Sequence, residues 1–217
     1  MRHTGIAPLD SKFATYGSRV EQLILRLMDR LWTPWRYSYI TGSKPSRPGV
    51  PADLEAFPDD LGSVFLNLIG AVRWATSSGA RPKVLAEKSG GVLLQAKHNF
   101  ICLNAYPYTS GHVMVVPYQR LDSLAALPAE AATEMMSLAQ RMETVLRAVY
   151  RPDGINLGMN LGEAAGAGVA EHLHLHVLPR WFGDSNFMTA TAETRVLPES
   201  LDTTWNRLRQ GLGQPTS

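Results

Sequence analysis

Three histidines that alternate with aliphatic residues restrict the fold of this chain more than any other feature. They lie in the run His172-Leu173-His174-Leu175-His176-Val177. Because side chains of a β-strand point alternately to its two faces, a strand here places all three imidazoles on one face and the aliphatic side chains on the other. Neighbouring imidazoles on that face are roughly 6.5–7 Å apart. The pattern therefore predicts a half-buried strand with a row of three groups that titrate near neutral pH.

The rest of the chain predicts an α+β fold with an antiparallel sheet of about five strands. Short apolar runs between turn residues indicate further strands at Val84–Glu87, Val92–Ala96, Phe100–Asn104, His112–Pro117 and Ile155–Leu161. A longer stretch from Pro128 to Tyr150 has apolar residues at three- and four-residue steps, which predicts a long helix packed on the sheet. Two shorter helices are expected at residues 63–75 and near residues 200–212.

Composition excludes several classes of function. The chain has 217 residues, of which 45% are hydrophobic, so it can form a substantial core. A net charge of +2 argues against bulk electrostatic binding of nucleic acid. The single cysteine, Cys102, excludes an intramolecular disulfide and a zinc site with several cysteines. No apolar run approaches the ~20 residues of a membrane span, and the N-terminus lacks the apolar region of a signal peptide. We expect a cytoplasmic protein without a nucleic acid or membrane partner.

The residues around the histidine run allow three interpretations. The histidines could be structural, without a chemical task. They could bind a metal, because alternate strand positions converge on one ion. A metal site usually adds an acidic or cysteine ligand, however, and Glu163, Glu171 and Asp184 show no obvious ligand spacing. The third interpretation is covalent phosphoryl chemistry, in which a neutral imidazole attacks phosphorus and its neighbours hold the phosphate. The small residues at 162–168 permit close approach of a phosphate to the backbone and favour this chemistry.

Several motifs in the chain resemble those of the histidine triad (HIT) superfamily. The three histidines separated by apolar residues and followed by Pro179-Arg180 resemble its signature. Residues 103–117 are similar to its Asn…Pro…Gly-His block, and residues 156–166 to its Asn-x-Gly and Ala-Gly elements. The motifs at residues 32–36 and 179–181 resemble the branch of dinucleoside polyphosphate hydrolases and phosphorylases. The resemblance covers roughly residues 28–187.

This resemblance implies a division of the chain into three parts. Residues 1–27 are expected to form an N-terminal extension with a short helix, 28–187 a HIT-like catalytic domain, and 188–217 a C-terminal tail with a helix. The aromatic segment at residues 31–40 packs as an arm on the core or on a second subunit, or else contacts a base or phosphate of a ligand.

The resemblance also implies roles for the four matching histidines. His174 would be the nucleophile that forms a nucleotidyl-histidine intermediate. His172 and His176 would orient it and bind the phosphate. His112 would support the row from a neighbouring strand; a satisfied histidine at a strand end is the alternative for this residue.

Matching polar and small residues complete the expected nucleotide site. Asn104 matches the position that meets the ribose hydroxyls, and Asn160 matches the polar residue beside the scissile phosphate. The loop residues Gly166, Ala167 and Gly168 are expected to contact the phosphate with their backbone amides.

The expected function is cleavage of a phosphoanhydride bond in dinucleoside polyphosphates such as diadenosine tetraphosphate. The resemblance implies a nucleotidyl hydrolase or phosphorylase with a nucleotide substrate, assembled as a homodimer through the edges of two sheets. A nucleoside phosphoramidase is an alternative within the same chemistry. A nucleotide-binding sensor with little turnover is an alternative from another class.

Two positions depart from the family pattern. Many relatives carry a Cys-x-x-Cys pair where this chain has Ser63 and Leu66, so we expect no structural zinc and no required cofactor. Relatives also often have Ser or Thr at the position of Gly168, where the hydroxyl helps to protonate the leaving group. Its absence is expected to affect efficiency or the choice of substrate.

Overall fold

The computed structural model describes residues 47–184 and 199–216. The predicted N-terminal extension and the aromatic segment at residues 31–40 lie outside these ranges, as does most of the segment that precedes the last helix.

A five-stranded antiparallel sheet forms the centre of the fold, as the sequence predicted. Its strands are β1 (Val92–Gln95), β2 (Asn99–Leu103), β3 (Val113–Pro117), β4 (Gly154–Gly158) and β5 (Leu175–Arg180). Their spatial order is β1-β2-β3-β5-β4, and every neighbouring pair is antiparallel. The first three strands form a meander, and β5 then enters between β3 and β4. The histidine strand is therefore paired on both sides.

In the described part of the chain, four α-helices surround the sheet. They are α1 (Val64–Ser77), α2 (Lys83–Ser89), α3 (Ala129–Tyr150) and α4 (Leu201–Gly211), with short 3-10 turns at Ala52–Leu54, Leu124–Ala126 and Glu163–Ala165. The long helix, the helix after residue 63 and the last helix are close to their predicted positions. No helix of residues 47–184 and 199–216 is long and apolar enough to cross a membrane.

The prediction of a strand at Val84–Glu87 was wrong, because these residues belong to α2. A run with only three apolar residues does not distinguish a strand from a buried helical turn. Glu87 is 2% exposed and forms an ion pair with the equally buried Arg209 of α4, with 3.1 Å between nitrogen and oxygen. This contact joins α2 to a distant part of the chain, and no local pattern indicates it.

Each face of the sheet has its own hydrophobic core. On one face, α3 packs on the aliphatic residues of the histidine run, Leu173, Leu175 and Val177, and α4 adds Trp205 and Leu208 to the same core. On the other face, α1 and α2 pack on a second cluster that includes Cys102 and Met114. The alternation of the histidine run thus has a clear physical basis, because its aliphatic residues belong to the α3 core and its imidazoles lie on the α1 side.

The last helix is bound to the edge strand β1 through side chains. The indole Nε1–H of Trp205 donates to the carbonyl oxygen of Val92 at 2.8 Å, and Arg209 donates to that of Leu93 at 2.8 Å. Trp205 is 1% exposed. Because these bonds occupy carbonyl groups of β1, α4 covers that edge of the sheet.

Candidate active site

The regular part of the histidine strand begins later than predicted, at Leu175. The register of β3 and β5 would place Pro117 opposite Leu173, but proline has no N–H to donate to the ladder. The Leu173 N–H instead donates to the carbonyl oxygen of Leu121 at 2.6 Å. His172 and His174 therefore precede the strand, while the alternation of side chains between the two faces is retained.

His174 has the geometry of a neutral nucleophile. Its Nδ1 lies 2.9 Å from the carbonyl oxygen of His172, so Nδ1 carries the proton and donates it there. The other ring nitrogen, Nε2, then holds the lone pair of a neutral imidazole. Burial lowers the pKa of His174, although the bond to His172 and the charge of Glu171 act in the opposite direction. The ring is therefore neutral at neutral pH and can attack an electrophile.

A chain of hydrogen bonds fixes the tautomer of His176. The backbone N–H of Tyr108 donates to Nδ1 of His112 at 3.1 Å, so the His112 proton lies on Nε2. This Nε2–H donates to Nδ1 of His176 at 2.9 Å. The proton of a neutral His176 must then be on its Nε2. The centroids of the His174 and His176 rings are 4.8 Å apart, so a lone pair and an N–H donor lie side by side.

His172 is placed differently from the sequence prediction. Its Nδ1 accepts a hydrogen bond from the Ser63 hydroxyl at 2.7 Å, and its Nε2–H donates to the carbonyl oxygen of Pro117 at 2.9 Å. The residue is fully buried, which lowers its pKa. Both ring nitrogens are thus used inside the protein, and the predicted contact of this ring with phosphate does not fit. Its predicted orienting role does fit, through the carbonyl group that holds His174.

Helix α1 provides the other contacts to this pair of histidines. Ser63 is the N-cap residue of α1, but its side chain makes no capping bond because the hydroxyl is directed to His172. The ring of Phe65 packs against those of His172 and His174, with centroid distances of 5.3 and 5.0 Å. The start of α1 therefore holds two members of the histidine row in place.

The residues around Ser63 do not fit the structural zinc ion of some relatives. The Ser63 hydroxyl is hydrogen-bonded to Nδ1 of His172, and Leu66 has no ligand atom. Within residues 47–184 and 199–216, no three His, Cys, Asp or Glu side chains are grouped as metal ligands.

A cavity of about 500 Å³ opens beside His174 and His176. Four of the other predicted site residues line it, namely Asn104, Asn160, Gly166 and Gly168. His112 lies behind His176, to which it is hydrogen-bonded. The N–H groups of Gly166 and Ala167 donate within the loop, to the carbonyl oxygens of Glu163 at 2.9 Å and of Gly162 at 3.3 Å. The predicted use of these two amides for phosphate therefore does not fit.

The floor of the cavity includes His176, Met114 and Cys102, which belong to a row of residues that crosses the sheet. The strand register places His176 beside Met114, Met114 beside Cys102, and Cys102 beside Val92, so these side chains share one face. Three strand spacings make this row about 14 Å long. Apolar residues of α1, including Phe65 and Leu68, form the opposite wall. The cavity is thus polar at the histidines and apolar farther along the row.

Sequence reasoning missed three residues of the site. Tyr108 sets the tautomer of His112 through its backbone, and Phe65 supports the rings of His172 and His174. Ser63 was considered only as a position that lacks a metal ligand. Tyr108 lies in the matched motif at residues 103–117, four residues before His112, so a contact between these two residues could have been predicted. The contacts of Ser63 and Phe65 depend on how α1 packs, which the sequence does not indicate.

The fold and the histidine site together define a protein of the histidine triad class, and comparisons with known proteins agree. A family model described as HIT domain matches residues 86–183. AP-4-A phosphorylase of Mycobacterium tuberculosis is 37% identical over 174 residues, which are 80% of this chain and 79% of that protein. Bis(5'-adenosyl)-triphosphatase of Dictyostelium discoideum is 34% identical over 82 residues, 38% of this chain and 54% of that protein. The chain belongs to the HIT family.

A solved structure supports the same assignment. The crystal structure of a zinc-bound histidine triad family protein from Mycobacterium smegmatis has a TM-score of 0.50 and 28% sequence identity to this chain. The match covers 70% of this chain and 94% of that one. The five-stranded sheet with its helices is thus the fold of this family.

Proposed function

We propose that this protein cleaves a phosphoanhydride bond of dinucleoside polyphosphates through a nucleotidyl intermediate on His174. The observation that carries the proposal is the pair of Nε2 atoms of His174 and His176, one with a lone pair and one with a proton, beside the cavity. The likeness to proteins named AP-4-A phosphorylase and bis(5'-adenosyl)-triphosphatase supports diadenosine polyphosphates as the substrate class.

The first step forms the covalent intermediate. The lone pair on Nε2 of His174 attacks a phosphorus atom, the bond from phosphorus to the bridging oxygen breaks, and the nucleoside polyphosphate leaves with the electron pair. The positive charge that develops on His174 is stabilised by the carbonyl group of His172, which holds Nδ1–H. The Nε2–H of His176 donates to an oxygen of the transferring phosphoryl group.

The second step regenerates the enzyme. An acceptor attacks the phosphorus atom, and the electron pair of the bond to nitrogen returns to His174. With diadenosine tetraphosphate, water as the acceptor gives AMP and ATP, whereas inorganic phosphate gives ADP and ATP. The likeness to a phosphorylase supports phosphate as the acceptor.

The nucleoside fits the cavity in one direction. With the phosphate at the histidines, the ribose lies near Asn104, where β2 ends. The base then lies between the floor residues Met114 and Cys102 and the wall formed by Phe65 and Leu68. A flat, largely apolar ring matches such a slot.

Gly168 favours polyphosphate leaving groups over amines. A nucleoside polyphosphate is stable as an anion when it leaves, whereas the amine of a phosphoramidate must be protonated first. Gly168 lines the cavity where many relatives have a hydroxyl residue that assists protonation. We therefore place the phosphoramidase second among the candidate reactions.

We also propose that two copies of the chain pair along strand β4, in the cytoplasm. In the described part of the chain, β4 is an edge strand, and Leu157 on it is 44% exposed. The opposite edge strand, β1, is covered by α4. A second copy that pairs with β4 would bury Leu157 and extend the sheet. Light scattering of wild type and Leu157→Lys should give a dimer for the former and a monomer for the latter.

Turnover of diadenosine tetraphosphate by the full chain, with and without inorganic phosphate, tests the proposed reaction. Products ADP and ATP indicate the phosphorylase, and AMP and ATP the hydrolase. His174→Asn is expected to reduce turnover by at least about a thousandfold while the circular dichroism spectrum is unchanged, because the nucleophile is lost. Binding of the substrate without turnover by the wild type would instead support a nucleotide sensor.

A further inference from the structure

The cavity continues past the apolar slot to a pair of charged side chains. Lys88 at the end of α2 and Asp202 at the start of α4 both line it, and their nitrogen and oxygen atoms are 2.7 Å apart. Their side chains are 29% and 62% exposed. The proposed reaction uses neither residue, and they lie on different elements from the histidines.

Hydrogen bonds at the start of α4 fix the position of Asp202. Asp202 is in the first turn of α4, where the Ser200 hydroxyl caps the helix by accepting from the Thr203 N–H at 3.2 Å. Asn206 donates to the Asp202 carboxylate at 3.2 Å. The buried Trp205, one turn after Asp202, binds the helix to β1. The Asp202 carboxylate is thus held at the rim of the cavity.

The order of the strands places Lys88 and Asp202 at the end opposite the histidines. The floor row runs from His176 on β5 through β3 and β2 to Val92 on β1. Helix α4 is bound to the carbonyl group of Val92, beyond the last strand of this row. A nucleotide with its phosphate at His176 and its ribose at Asn104 therefore directs the outer edge of its base towards the charged pair.

We propose that Lys88 and Asp202 recognise the edge of the adenine base, an inference that rests on the proposed function. The Asp202 carboxylate only accepts hydrogen bonds and matches the 6-amino group. The Lys88 ammonium only donates and matches the ring nitrogen N1. Hypoxanthine reverses this pattern, with an acceptor oxygen at position 6 and a donor at N1. The pair therefore favours adenine over hypoxanthine nucleotides.

Comparison of diadenosine tetraphosphate with diinosine tetraphosphate tests this recognition. The wild type is expected to have at least about a fivefold higher kcat/KM for the adenine substrate, mainly through KM, because the base edge lies far from the reacting phosphorus. In Asp202→Asn the ratio should fall to within about twofold, since an amide can also donate to the hypoxanthine oxygen. Lys88→Met should raise KM for the adenine substrate about fivefold and leave kcat within about twofold.

A matched ion pair on the outer surface provides the control. Arg147 and Glu143 on α3 are 2.9 Å apart and 53% and 41% exposed, so Arg147→Met also removes one member of an exposed pair. It should leave the substrate ratio unchanged. Exposed pairs contribute little to stability, so all three variants should fold. An Asp202→Asn variant that keeps the wild-type ratio, or a wild type that prefers the inosine substrate, overturns the proposal.

Binding of AMP and IMP to the wild-type chain separates this inference from the proposed reaction. Calorimetry should give at least about fivefold tighter binding of AMP, and Asp202→Asn should remove the difference. That result supports the recognition even if no dinucleoside polyphosphate is cleaved, in which case only the proposed reaction fails. Cleavage combined with equal binding of AMP and IMP means that the recognition fails and the reaction stands.

Discussion

Removal of one hydroxyl group, in Ser63→Ala, should weaken both the fold and the catalytic site. In the wild type, this hydroxyl donates to Nδ1 of His172 at 2.7 Å, and both residues are almost completely buried. Alanine leaves Nδ1 as a buried acceptor without a partner. Such a group costs about 1–3 kcal/mol of folding free energy. Because the Ser63 side chain makes no capping bond to α1, the usual loss of a helix cap does not add to this figure.

The effect should be visible in thermal unfolding. A loss of about 2 kcal/mol corresponds to a fall in Tm of roughly 4–8 °C for a chain of this size. Ser63→Cys, which has similar volume and a weak S–H donor, should lie between the wild type and Ser63→Ala. Ser137→Ala on the exposed face of α3 also removes a serine hydroxyl that bonds inside the protein, to the carbonyl oxygen of Thr133 at 3.0 Å. This control should change Tm by less than about 2 °C.

Kinetics on the same variants separate a positioning role from a purely structural one. The ring of His172 lies outside the cavity, so its displacement should lower kcat by up to about tenfold and leave KM within about twofold. This pattern is expected because the carbonyl group of His172 orients His174, whereas neither Ser63 nor the His172 ring lines the cavity. A Ser63→Ala variant with wild-type Tm and kcat would refute the reasoning.

Two other predictions follow from buried titratable groups. Burial lowers the pKa of His172 and of His174 below the ordinary value of 6.5, so below pH 6.5 the unfolded chain binds more protons than the folded one. The contribution of these two groups to the free energy of unfolding should therefore be constant above pH 6.5 and should decrease as the pH falls from there through their lowered pKa values. The acid limb of the pH profile of kcat should also lie below pH 6.5. An acid limb at or above pH 6.5 contradicts this prediction. Burial raises the pKa of Cys102 to about 12, so iodoacetamide at pH 8 should react much more slowly with the native protein than with the protein in guanidinium. Equal rates in the two conditions would show that this thiol is accessible.

The local pattern of the histidine run predicted much of the site. A period of two fixed which side chains share a face, and the observed packing follows it, with Leu173 in the α3 core and His174 against Phe65. The long helix was equally predictable because its apolar stripe repeats over six turns or so. A regular repeat is therefore informative, because each of these two features depends on the periodicity of one strand or one helix.

Features that depend on distant contacts could not be read in this way. The sequence assigned His172 and His176 the same role, but they differ in the structure. Ser63 and Pro117 bind both ring nitrogens of His172, whereas His112 binds one ring nitrogen of His176. The ion pair of Glu87 with Arg209 likewise joins residues that are far apart in the sequence. These contacts depend on which helices and strands pack against each other. A short stretch of sequence does not indicate the element against which it packs.

The bonds that attach α4 to β1 predict the effect of removing the C-terminal part of the chain. Protease cleavage that removes the residues from 199 onward would take away Arg209 and leave the Glu87 carboxylate as a buried charge without its counter-ion. It would also uncover the β1 edge and open the cavity beside Gly91. Helix α4 thus forms part of the wall of the proposed nucleotide pocket, and its loss is expected to cause aggregation together with loss of substrate binding.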